Sequence, residues 1–271
     1  MLKRIWERLV AGLAETLRPP PETLIWESRW RDTLLQVWET PGRRELRFGN
    51  RVVQSALSRI NPDHLVLRYT RFMMLGFVLL PRPARVLHIG MGAGTLPSYI
   101  FRHFPEVQQD IVEINPDVIR AAREHFDFPD DPHLQVYEGD AAEQISELPG
   151  PYDLIFLDAF DAHGTPPALM DPSFLALLRK RLTTEGWVVA NTWSTTHVFP
   201  EFRKRWFLSF GRGLQARTRT AGNVILFGGN SLPPPSQKEV LNNARSLERQ
   251  IPLEMVPAAR KFSVWKGDGP Q

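Results

Sequence analysis

The sequence predicts an α/β fold, a doubly wound parallel sheet covered by helices on both faces, preceded by a small antiparallel β unit. Three observations predict it. From Arg85 onward, short continuous apolar runs alternate with helical stretches, the pattern of strands buried on both faces. The first run, Val86 to Ile89, enters the glycine-rich turn Gly90-Met91-Gly92-Ala93-Gly94, and the second closes on Glu113, 19 positions after Gly94. Upstream, between Leu24 and Arg59, apolar residues recur with period two.

Taken in order, Met1 to Arg18 places Leu2, Ile5, Trp6, Leu9, Val10, Leu13 and Leu17 on one helical stripe, and Pro19-Pro20-Pro21 ends it as a stiff linker. Glu7 and Glu15 interrupt what would otherwise be a secretion-signal core. This helix is expected to dock on its own domain or on a second subunit, with a place on a membrane surface as the alternative. Leu24 to Trp26, Leu34 to Trp38, Arg44 to Phe48 and Arg51 to Gln54 read as strands, with Gly49-Asn50 as a hairpin turn. A helix is expected from about Leu65 to Leu80, bounded by Pro62 and Pro81. Strands then follow at Val86 to Ile89, Gln109 to Glu113, Leu134 to Tyr137, Asp153 to Leu157 and Trp187 to Asn191. Helices are expected at Leu96 to His103, Asp117 to His125, Pro172 to Leu182, Val198 to Phe210 and Gln237 to Gln250. Leu214 to Arg219 and Asn223 to Phe227 read as an antiparallel pair, and Met255 to Gln271 shows no pattern. The expected units are 1–21 (helix and linker), 22–62 (small β domain) and 63–271 (nucleoside-binding catalytic domain).

Composition narrows the chemistry. With 271 residues, 42% hydrophobic and 23% charged, the chain can bury a full-sized core. It has no cysteine, which excludes a disulfide framework, a thiolate zinc site and a cysteine nucleophile. A net charge of +3 with no basic run interleaved with aromatics argues against a nucleic-acid partner. No apolar run approaches the roughly 20 residues of a membrane span; with no targeting signal and no cysteine, a cytoplasmic location is the default expectation.

In a parallel sheet of this kind ligands sit outside the carboxyl ends of the strands, which makes the residue closing each apolar run informative. The first run ends in Gly90, Gly92 and Gly94, the second in Glu113, the third in Gly139-Asp140-Ala141 and the fourth in Asp158-Ala159-Phe160-Asp161. Glycines admit a close backbone approach, although tight helix–strand packing explains such a turn equally well. A carboxylate at Glu113 accepts from both ribose hydroxyls, and ending an apolar strand on a charge is otherwise costly. Asp140 offers an acceptor for an exocyclic amine, with the Ala141 backbone beside it; the alternative is a helix cap. Together these groups describe an adenosine site. Asp158 and Asp161, three positions apart beyond a buried strand, suit binding an amine and removing its proton, against a solvated loop with incidental acids. No histidine or third acid stands at ligand spacing, so no metal is expected.

The order and spacing of these segments resemble the spermidine synthase family of polyamine aminopropyltransferases over about Ile25 to Trp193. LRFGNRVVQS, Leu46 to Ser55, is similar to the family's L-x-x-D-G-x-x-Q-S stretch, and Tyr69 falls where a substrate-side tyrosine is usual. VLHIGMGAG resembles the glycine motif, DIVEINPDVI the ribose-binding strand, GDA the adenine clamp and YDLIFLDAFD the catalytic loop. The resemblance implies a Rossmann-like, S-adenosylmethionine-dependent transferase fold and a dimer or larger homo-oligomer. It implies decarboxylated S-adenosylmethionine as co-substrate and a small amine or polyamine as acceptor. By it, Gln54 lines the tail pocket, Glu113 holds ribose, Asp140 holds adenine, Asp158 accepts the amine's proton and Asp161 positions that amine.

Departures from the family pattern keep two other readings open. Ala93 stands where the family has an aspartate, Thr70 and Arg71 replace a histidine and a glutamate after Tyr69, and Ala162 replaces a proline. The late proline-tyrosine segment has no clear counterpart in Ala221 to Val224. An aspartate at 93 would repel the carboxylate of intact S-adenosylmethionine; alanine relaxes that discrimination. A methyltransferase using S-adenosylmethionine is therefore one alternative, and a non-catalytic homologue that keeps the fold is the other.

Overall fold

A computed structural model describes residues 21–49, 52–160, 164–211, 213–218, 222–230 and 235–265. The expected N-terminal helix, Asn50 of the hairpin turn, and Asp161 with its neighbours Ala162 and His163 lie outside the described residues.

The first four strands, β1 (Thr23–Trp30), β2 (Thr33–Glu39), β3 (Arg43–Phe48) and β4 (Val52–Ser58), form an antiparallel sheet in sequence order. Period two puts Leu35, Val37 and Leu46 on one buried face. The sheet also buries a charge cluster. Glu45, 1% exposed, accepts from the Arg47 guanidinium at 2.7 Å and pairs with Arg43, while Arg47 reaches on to Glu22 at 2.9 Å. A buried carboxylate needs such partners because desolvation alone would expel it.

Residues 65–80, expected as one helix, form two short ones, α1 (Arg68–Met73) and α2 (Leu75–Leu79), joined at Met74. The break follows from burial. Met73 to Val78 are buried throughout, and a Cβ at Gly76 would come within 3.2 Å of a Val189 methyl group, so the segment lies hard against the main sheet. That sheet has eight strands in the order β12-β10-β11-β9-β8-β5-β6-β7. The strands β5 (Arg85–Ile89), β6 (Gln108–Glu113), β7 (Leu134–Glu138), β8 (Tyr152–Leu157) and β9 (Leu182–Trp193) are parallel; β10 (Gly213–Arg217), β11 (Asn223–Gly229) and β12 (Phe262–Trp265) complete it antiparallel.

Between the strands run α3 (Thr95–His103), α4 (Pro116–His125), α5 (Ala141–Gln144), α6 (Pro172–Lys180) and α7 (Phe199–Phe210), followed by α8 (Gln237–Glu248) and α9 (Val256–Ala259). Alternation along β5 and β8 sends Val86, Leu154 and Phe156 into one apolar layer and Leu87, Ile89, Ile155 and Leu157 into the other. A third cluster joins Leu35, Val37 and Leu46 of the small sheet to Val118, Ile119 and Ala122 of α4. The strand order reverses between β5 and β8, and the crevice above their carboxyl ends opens there.

Candidate active site

Three backbone features build the crevice. Gly90 N–H donates to the Val112 carbonyl at 2.9 Å and Asp158 N–H to the Ile89 carbonyl at 2.9 Å, tying the ends of β5, β6 and β8 together. Gly90 takes φ +90°, and a Cβ there would collide with the backbone carbonyl of Asp158. Gly94, at φ +68°, starts α3, and a Cβ there would run into the Phe128 ring.

A cavity of about 310 Å³ occupies the crevice. Gln54, Tyr69, Gly90, Gly92, Glu113, Asp140, Ala141 and Asp158 all line it, from six separate segments of the chain. Gly94 does not line it and instead leaves room for the Phe128 ring; Ala93 is fully buried in the apolar cluster with Met91 and Val118 and, unlike those two, does not line the cavity. The small sheet roofs the cavity with Trp30, Thr33, Phe48 and Ser55, and Ser55 lies against Gly92.

The carboxylates differ in their surroundings. Glu113 is 9% exposed; its Oε2 accepts from Met91 N–H at 2.9 Å and its Oε1 from Asn115 N–H at 3.0 Å. Burial pushes its carboxyl up, and those backbone donors, with Ile114 and Gly92, pull back the other way. The result is a carboxylate fixed in orientation, with lone pairs left for a pair of hydroxyls. Asp140 performs the cap that the sequence left as an alternative, its Oδ1 accepting from Ala142 N–H at 2.8 Å at the start of α5, while the residue also lines the cavity.

Asp158 sits at the end of β8, its Oδ1 accepting from Asn191 Nδ2 at 2.9 Å; Asn191 Oδ1 in turn accepts from Asn223 Nδ2 at 2.9 Å. Burial pushes the Asp158 carboxyl up to about 6, against the opposing donors of Asn191 and Tyr69. The Tyr69 hydroxyl donates to the Gln54 carbonyl at 3.4 Å and faces Asp158; burial and that charge hold its phenol well above the usual range. Such a carboxyl is ionised at neutral pH yet basic enough to take a proton. Asn191 and Asn223 were missed by sequence reasoning. The signal was available: Asn191 ends the apolar run Val188-Val189-Ala190 just as Glu113 ends its own.

A model of the spermine/spermidine synthase domain matches residues 67–205, the span from α1 through most of α7. The chain belongs to the spermine/spermidine synthase family. A family relative, the polyamine aminopropyltransferase of Chromobacterium violaceum, is 32% identical over 224 residues, covering 81% of this chain and 85% of that protein. Among solved structures, a probable spermidine synthase from Corynebacterium glutamicum superposes with TM-score 0.69 at 21% identity, covering 82% of this chain and 87% of its own, a likeness of fold. Human methyltransferase-like protein 13 in complex with SAH gives TM-score 0.63 at 25% identity, covering 75% and 97%. An adenosyl-based ligand is common ground between the family reading and that complex. No helix among the described residues is long and apolar enough to cross a membrane, and no metal-ligating cluster occurs among them.

Proposed function

We propose that this chain transfers the aminopropyl group of decarboxylated S-adenosylmethionine to an amine, with Asp158 taking the amine's proton. One observation carries the reading: Asp158, with its carboxyl raised to about 6, shares a single cavity with Glu113 and Asp140 at the point where the strand order reverses. The cavity fits an adenosyl group, because the glycine turn admits backbone approach, Glu113 is held ready for ribose, and Asp140 and the Ala141 backbone face the purine. Bound there, the sulfonium nucleoside supplies an electrophilic carbon; the amine nitrogen bonds to it as the carbon–sulfur bond breaks and neutral methylthioadenosine leaves with the electron pair.

Asp158 makes the attack possible, since an ammonium ion has no lone pair until a carboxylate removes its proton. Tyr69 and Gln54 form the wall beside that transfer, and the small sheet excludes water from above. Asp161, outside the described residues, is assigned by the family pattern to holding the acceptor amine.

Supplying decarboxylated S-adenosylmethionine with a panel of diamines and assaying methylthioadenosine release tests the reading. Asp158→Asn is expected to bind methylthioadenosine within about threefold of the parent while turnover falls about 10²–10⁴-fold. Persisting turnover would remove Asp158 from its role. A second reading, methyl transfer from intact S-adenosylmethionine, is favoured by one feature: the likeness to human methyltransferase-like protein 13 in complex with SAH. Preference for the intact form in the same assay, with a methylated product, would install that reading instead.

A further inference from the structure

His88 interrupts the apolar strand β5 and is 2% exposed, yet nothing in the proposed transfer uses it. A polar ring in that position is costly unless its nitrogens are satisfied. One is: Nε2 lies 2.9 Å from Gln109 Oε1. Gln109 Nε2 donates to the Pro97 carbonyl at 3.2 Å, which fixes the amide with Oε1 as acceptor, so His88 Nε2 carries the hydrogen. Nδ1 is then a lone-pair nitrogen. It has no partner among the described residues, and His88 lines the cavity beside Tyr69, Thr70, Pro97 and Phe156.

We infer that His88 Nδ1 accepts a hydrogen bond from a primary ammonium group seated at the inner end of the cavity, the group being borne by one of the two substrates of the proposed aminopropyl transfer, on which this assignment rests. Register places it there. His88 pairs with Phe156 in the sheet and its ring stacks on Phe156 at 5.2 Å. Asp158 follows Phe156 by two residues on the same strand face, a rise of about 6.7 Å. The end of the cavity therefore offers an acceptor nitrogen, an aromatic face and a carboxylate one short alkyl spacer away, and each of these favours a cation. Burial holds the imidazole down at about 4, so at neutral pH it accepts without repelling. The Thr70 hydroxyl, committed to the Leu67 carbonyl at 2.6 Å, does not compete.

Both the aminopropyl tail and a diamine acceptor carry a primary ammonium, and the test separates them. The full chain, His88→Phe and His88→Asn are titrated calorimetrically with methylthioadenosine, which lacks the amine, and with decarboxylated S-adenosylmethionine; acceptor KM is measured in parallel. Methylthioadenosine affinity is expected to stay within about twofold throughout. If the tail sits at His88, His88→Phe weakens decarboxylated S-adenosylmethionine about tenfold; if the acceptor does, its KM rises about tenfold instead. His88→Asn, which keeps an acceptor near the Nδ1 position, recovers most of the loss. No change in either quantity, or equal weakening of methylthioadenosine, overturns the assignment. Should the variants fold poorly, ¹⁵N spectra of the parent decide it: the unprotonated Nδ1 resonance must move on adding one of the two amines, and immobility with both overturns it. If the parent neither binds nor turns over the decarboxylated form, the transfer reading fails by itself. Intact S-adenosylmethionine, whose tail also bears an ammonium, then tests His88 against methylthioadenosine in the same titrations.

Discussion

At the scale of single residues, the carboxylate of Asp158 is governed by an amide it does not touch. Asn223 donates to Asn191 Oδ1, which leaves the Asn191 amino group facing Asp158. Without that second bond the Asn191 amide gains freedom to flip and present its oxygen to the carboxylate. Asn191→Leu is expected to move the acid limb of the kcat–pH profile upward from about 6, because a donor that stabilises the ionised form is gone. Asn223→Ala should move it less, in the same direction. A limb that stays in place in both variants would leave the pair with a packing role only. Glu113, Asp140 and Asp158 were legible from sequence because each closes an apolar run, where an acid demands a reason. For Gly94 a packing role was legible as an alternative but its partner was not: the requirement comes from Phe128, 34 positions downstream, and no local pattern reports such an approach.

Among elements, the seam between the small sheet and α4 governs how the roof sits over the crevice. Trp26 of β1 tilts against the His125 ring at 5.7 Å and lies under the Arg120 guanidinium at 5.2 Å, while Ser28 Oγ donates to Asp117 Oδ2 at 2.6 Å. Trp26→Ala is expected to cost about 1–2 kcal/mol in denaturant unfolding, a partly buried aromatic being lost. Nucleoside affinity should fall with it, since Trp30 and Thr33 of the same hairpin line the cavity. Leu208→Ala, at a side chain 71% exposed, serves as the neutral control. The period-two strands of this sheet were readable in the sequence, and so were most helices of the main sheet. The split at Met74 was not, because a segment buried on all sides carries no amphipathic period to mark its breaks. Nor were α9 and β12, each four residues long, α9 packed on α8 and β12 paired with the distant β10.

For the molecule as a whole, Asp158 and His88 draw stability in opposite directions over one acid range. A carboxyl whose folded-state pKa is raised binds its proton more tightly in the fold, so Asp158 adds stability as pH falls from about 6 toward 4 and withdraws it as pH rises through that window. A histidine held down at about 4 does the reverse: its contribution is present above its ordinary value near 6.5 and is lost as pH falls from there. The two partly cancel in the parent. Asp158→Asn is therefore expected to lose stability more steeply than the parent between pH 6.5 and 4, and His88→Phe less steeply, by on the order of 1–2 kcal/mol across the range. Denaturant midpoints at half-unit pH steps read this directly, and parallel curves for all three proteins would contradict it. The doubly wound topology that sets the two side by side was readable in the alternation of strands and helices; their opposition was not, since it depends on which sheet face each side chain takes and how deeply it is covered.

Asp140 begins a helix with one oxygen and lines the crevice, on the side the proposed function gives to the purine. Evolution toward another base must therefore pass through a narrow corridor. Side chains that still cap, namely asparagine, serine and threonine, remain open to it, whereas larger or apolar replacements suited to a different ring would unravel the start of α5 before any new preference could be selected.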